Sequence, residues 1–168
     1  MTNKNALTQA RALTLPSRQA VLERDASVSD FWNSNRKLLE EAWKEWELET
    51  KEELFILDET LFAPKLRTAI NNAWENPEVE NTVADLWEEI IPGVYTAQFF
   101  DLERLKDLRK YLETAASSQI PARPPYGIQL NRFGVMLDPR SEGYLAAPNF
   151  QIFYNTMMIL GHFMSFLL

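Results

Sequence analysis

Trp87-Glu-Glu-Ile-Ile-Pro-Gly-Val-Tyr-Thr-Ala-Gln-Phe-Phe-Asp101 is the stretch on which the fold turns, because the apolar pattern changes period inside it. Upstream, Val79, Val83, Leu86, Trp87 and Ile90 recur mostly three and four residues apart, which is the spacing of one helix face. Pro92-Gly93 ends that predicted helix, since proline lacks the donor a continuing helix needs. Downstream, Val94 to Phe100 is short and rich in β-branched and aromatic residues, as a strand is. Asp101 then stands where its carboxylate can cap a helix with a stripe of Leu102, Leu105, Leu108 and Leu112.

Outward towards the N-terminus, Pro64 suits the first turn of a helix carrying Leu66, Ala69, Ile70, Ala73 and Trp74, which Asn76-Pro77 interrupts. Before it, Ser29 or Asp30 can cap a helix that begins with Phe31 and Trp32. Trp32, Leu39, Trp43 and Trp46 follow at spacings of seven, four and three, on one face, with Arg36, Lys37, Glu40, Glu41, Lys44 and Glu45 between them. Such a stripe is either core or the surface that grips a partner helix.

Outward towards the C-terminus, helix propensity fades at Ser117-Ser118, and Pro121, Pro124 and Pro125 mark a loop. Ile128 to Leu137 reads as a second strand with Gln129, Asn131, Phe133, Val135 and Leu137 on one face. Asp138-Pro139 opens a turn, and Asn149 to Leu168 is apolar enough for a helix. Helices first, then strand, helix, strand, helix is an α+β order. The corresponding division is a flexible leader over 1–27, a helical segment over 28–76 and a region over 77–168 that carries a family resemblance and ends in an atypical apolar tail.

Of 168 residues, 46% are hydrophobic and 12% aromatic, enough for a packed core. The formal charge of -7 disfavours nucleic acid and anionic membrane surfaces as partners. No run approaches the roughly 20 apolar residues that span a bilayer. Lys4, Arg11 and Arg18 precede the first acid, Glu23, which is the composition of an organelle import signal or of a frayed terminus. Without cysteine the chain otherwise suits the cytoplasm.

Ligand counting restricts the chemistry. An iron facial triad needs two histidines and a carboxylate, a catalytic zinc usually three side-chain ligands, and His162 is the single histidine. His162 lies in an apolar run without a G-x-S-x-G elbow, which reads as packing rather than a hydrolase base. No phosphate-cradling or dinucleotide glycine motif occurs. Glu40-Glu41, Glu52-Glu53 and Glu88-Glu89 are adjacent in sequence, and adjacent helical side chains point apart.

Two phrases carry a family resemblance. They are Trp87-Glu-Glu-Ile-Ile-Pro-Gly-Val-Tyr95 with Phe99-Phe100-Asp101, and Arg123-Pro-Pro-Tyr-Gly-Ile-Gln-Leu-Asn-Arg-Phe-Gly-Val-Met-Leu-Asp138 with Gly143 to Gln151. Together they resemble the leading part of prolyl-hydroxylase-like oxygenases that use Fe(II) and 2-oxoglutarate. Tyr126 and Phe133 depart from the family's asparagine and tyrosine. The resemblance implies the incomplete leading part of a double-stranded β-helix (jelly roll), and a hydroxylase that is catalytically silent in this chain. It implies Fe(II) and 2-oxoglutarate only for a longer relative, because the family's His-x-Asp, second His and 2-oxoglutarate-binding cation come after the matched stretch. Arg123, Asn131 and Arg132 are then substrate-side or structural residues. The apolar run after Tyr154 reads as a truncated product or as a short C-terminal helix. The alternative function is a non-enzymatic, acidic, helical interaction module that binds a partner through Trp32, Leu39, Trp43 and Trp46.

Overall fold

A helix of 25 residues, α3 (Ala26–Thr50), is the longest element among the described residues, and the helices before it and the last helix pack on it. The computed structural model describes residues 5–50, 57–78, 83–125 and 134–166. Helix α3 starts before the expected Phe31, because Asp25 takes over the start: its Oδ1 accepts the Ser27 N–H at 2.8 Å. Ser29 therefore lies inside the helix, where its hydroxyl donates to Glu142 at 3.1 Å. Trp32, Leu39, Trp43 and Trp46 are all buried. Trp43 meets Trp46 edge to face at 5.3 Å, and Trp46 meets Tyr111 likewise at 5.7 Å.

Two short helices, α1 (Ala6–Arg11) and α2 (Arg18–Glu23), precede α3. Leu7 and Ala10 of α1 are buried, and the α3 residue Glu45 accepts the N–H groups of Ala6 and Leu7 at 3.2 and 2.8 Å. A carboxylate at those free donors satisfies them and complements the helix dipole. Asn5 caps the same turn from its own side, accepting from Thr8 at 3.0 Å.

Helix α4 (Pro64–Glu75) opens on proline as expected, with Leu66, Ala69 and Ala73 inward. Trp74, grouped with them in the expected helix, is 79% exposed. Over its described residues the helix expected next does not form. Residues 79–82 lie outside the described residues, Ala84–Leu86 is a single 3-10 turn, and Glu88–Ile91 is a strand, β1. It pairs antiparallel with β2 (Val94–Thr96), Glu88 opposite Thr96, Glu89 opposite Tyr95 and Ile91 opposite Val94, with a bulge between Glu89 and Ile91. Pro92-Gly93 is thus the tip of a hairpin rather than a helix stop. Gly93 takes φ +81°, open to glycine, and its N–H donates to Glu89 Oε1 at 2.8 Å. The β-branched Ile90-Ile91 pair favours the extended form once that turn is made.

The strand expected over Val94 to Phe100 ends at Thr96. Phe100 makes an isolated antiparallel bridge with Phe62, flanked by Ala63 N–H to Phe99 O and Asp101 N–H to Leu61 O, both 2.9 Å. Asp101 caps α5 (Arg104–Ala116) as read, its Oδ1 accepting from Glu103 and Arg104 at 3.0 Å each. Leu108, Tyr111 and Ala115 form the buried face of α5, whereas Leu102 lies out in solvent. The apolar C-terminal run forms α6 (Pro148–Phe166), whose Phe153 stacks on Phe62 at 5.7 Å.

The jelly-roll expectation is overturned. Among the described residues the only sheet has two strands, and every residue of both is exposed, so it covers no core. A barrel needs strands with one face packed inward. The second predicted strand, Ile128 to Leu137, falls largely on residues 126–133, outside the described residues. Its described remainder, Gly134 to Leu137, is irregular, though Met136 N–H donates to Arg123 O and Leu145 N–H to Met136 O, each at 2.8 Å. The fold is a small, mostly helical α+β domain.

Candidate functional site

Helices α3 and α5 converge on the described residues between α5 and α6, 117–125 and 134–147. Helix α5 ends in a turn with Gln119 at φ +63°, where Ile120 N–H donates to Ser118 Oγ at 3.2 Å. A groove of about 530 Å³ lies between the end of α5 and described residues on either side of 126–133. Trp43 contributes from α3, Leu112, Ala115 and Ala116 from α5, and Ile120 and Val135 from the loop. Exposed Ala116 stands at the rim, while Trp43 is buried and its Nε1 has no acceptor among the described residues.

None of the ten lining residues carries an ionisable side chain. The groove can take apolar groups, and none of its described lining residues is an acid, base or nucleophile.

Arg123 braces the loop wall. It is 8% exposed, its Nε donates to Glu142 O at 2.8 Å, and its own N–H donates to Gly143 O at 2.7 Å. Gly143 has φ +61°, and a Cβ there would lie 2.5 Å from Trp32 Cε3 and 2.8 Å from Arg123 Cβ. Only glycine fits that crossing. Asn131 and Arg132 lie outside the described residues, and so does the side chain of His162.

Glu47 is a buried carboxylate that ties three helices together. Tyr111 of α5 donates its hydroxyl to Glu47 Oε1 at 2.5 Å, and Asn149 N–H, at the start of α6, donates to both oxygens at 3.1 and 3.0 Å. Burial first, then the Glu47 carboxylate, pushes the Tyr111 hydroxyl well above its ordinary value. Glu47 was not singled out from the sequence, although it directly follows Trp46 of the stripe.

Among the described residues the adjacent carboxylates have separate surroundings. Glu40 meets Arg36 at 3.0 Å and accepts from Tyr144 at 3.2 Å, while Glu41 meets Lys44 at 3.4 Å. Glu88 and Glu89 are strand neighbours on opposite faces, and Glu52 and Glu53 lie outside the described residues. A second cleft of about 540 Å³, between α4 and the 3-10 turn, places Lys65, Thr68 and Asn72 near Asp85 without grouping acids.

No three His, Cys, Asp or Glu residues come together as metal ligands among the described residues. The first phrase that carried the oxygenase resemblance falls on an exposed hairpin, and the described residues of the second, 123–125 and 134–138, form no strand. The reading as an Fe(II)/2-oxoglutarate oxygenase fragment, with its oxidoreductase, dioxygenase and iron chemistry, is therefore corrected. Among the described residues no helix is long and apolar enough to cross a membrane. Comparison with protein-family models, with curated proteins and with solved structures finds no match to this chain.

Proposed function

We propose that this chain is a non-enzymatic interaction module that holds the apolar side chains of a partner helix in the groove beside Trp43. The observation that carries the reading is the lining itself: a concave surface of about 530 Å³ whose described lining residues are all non-ionisable. That volume is in the range of sites that enclose apolar groups. Leucine-like side chains at i, i+3, i+4 and i+7 of a helix are the common way to fill such a groove. The binding surface differs from the whole tryptophan stripe, since Trp32, Leu39 and Trp46 serve the core and Trp43 alone of the four lines the groove.

A test follows from Ala116, whose exposed methyl is at the rim. The probe is a helical peptide with leucines at i, i+3, i+4 and i+7 and uncharged glutamines elsewhere, titrated into methyl-labelled protein. Shifts confined to Leu112, Ala115, Ile120 and Val135, and abolished in a folded Ala116→Arg variant, are the expected result. Shifts that ignore that substitution, or no binding at all, would remove the proposal.

A further inference from the structure

From Thr68 to Glu103 the chain carries eight acids and no lysine or arginine, while the remaining residues carry 17 bases against 16 acids. The excess negative charge is therefore confined to one stretch. In its middle stands the β1–β2 hairpin, which buries none of its own residues. Ile90, Ile91, Val94 and Tyr95 are all large, apolar and about half exposed or more. Among the described residues neither β1 nor β2 has a second strand beside it, so each presents a row of backbone donors and acceptors.

We propose that the β1 edge of this hairpin takes a short, extended, basic segment of a partner protein as an added strand. Backbone pairing supplies affinity in this mode, and the side chains of the edge strand select the sequence. Glu88 and Glu89 lie on β1 itself, with Asp85 just before it, all exposed. Lysine or arginine opposite an acid favours pairing, and a like charge opposes it. That rule decides against parallel pairing with a second copy of this chain, which would set Glu88 and Glu89 opposite their own counterparts, and an antiparallel copy would set each acid opposite an isoleucine and so leave it without a cation. It decides equally against the phosphates of nucleic acid or lipid. The bulge between Glu89 and Ile91 interrupts the ladder, so the added segment is short. This surface is separate from the groove beside Trp43, and neither proposal depends on the other.

The experiment uses the full chain and a dye-labelled (Lys-Val)4 peptide read by fluorescence anisotropy, with (Glu-Val)4 as its counterpart. Binding of the basic peptide, weaker at high salt and at least about threefold weaker in Glu88→Lys, is expected from a surface pair turned repulsive. Glu113→Lys makes the same charge change on exposed α5 and should leave affinity within error. Ile90→Ser, at an exposed site where the core is untouched, should weaken binding with an unchanged far-ultraviolet circular dichroism spectrum. The proposal is overturned if both peptides bind alike, if the two charge reversals act equally, if the basic peptide does not bind, or if the chain alone self-associates through the hairpin.

Discussion

Glu47 and Tyr111 show how a single buried polar contact organises this molecule. A carboxylate enclosed by apolar side chains is costly unless its oxygens are hydrogen-bonded, and here a phenol and the first free N–H of α6 serve both. Tyr111→Phe removes the phenol and leaves one carboxylate oxygen less well satisfied. The expected loss is about 1–3 kcal/mol of stability, measured by urea unfolding at neutral pH. The pH dependence has a definite sign. Because the folded pKa of Tyr111 lies above the ordinary 10.0, its contribution is complete below pH 10 and is lost as pH rises further. Between about pH 10 and 11.5 the melting temperature of the wild type should fall more steeply than that of Tyr111→Phe. Parallel curves would contradict this account.

At the scale of elements, the well-capped helices were readable and the hairpin was not. Pro64 and Asp101 announce α4 and α5 because proline at a first turn and a carboxylate at a helix start act locally. The segment 79–91 misleads because its apolar residues fit a helical period while Pro92-Gly93 serves equally as stop or turn. Gly93→Val tests that element: the left-handed backbone at φ +81° resists a β-branched residue by about 1–2 kcal/mol. Backbone amides of Glu88 to Thr96 should exchange faster in this variant, while the main unfolding transition stays in place because the hairpin buries no core. A large drop in global stability would mean that the hairpin supports the core after all. Acid titration reports on another junction, where Asp58 meets Thr60 and Arg104. The Thr60 hydroxyl, with Arg104 a smaller influence, holds the Asp58 carboxyl below its ordinary 3.8. Its contribution is present above that value and lost as pH falls through the lower folded pKa. Asp58→Asn should therefore flatten the acid limb of the stability curve below pH 3.8, measured by thermal melts.

At the scale of the whole molecule, the tryptophan-lined face of α3 is the element the rest of the chain closes on. Trp46→Ala should cost about 3–5 kcal/mol, since it empties the contact between Trp43 and Tyr111, and should broaden or abolish cooperative unfolding. A stable, cooperatively folding Trp46→Ala protein would contradict the core assignment. The sequence by itself determined the helical face bearing Trp32, Leu39, Trp43 and Trp46, the caps of the well-marked helices, the shortage of metal ligands and the acidic balance. Each follows from spacing or composition, which local physics reads directly. Only the tertiary structure decided that Glu88–Ile91 is a strand, that Glu47 is buried, that Gly143 passes Trp32, and that Trp43 lines a groove beside Ala116. Those depend on which distant segments meet, and no local pattern in the chain encodes the meeting of residues 43, 116, 135 and 145.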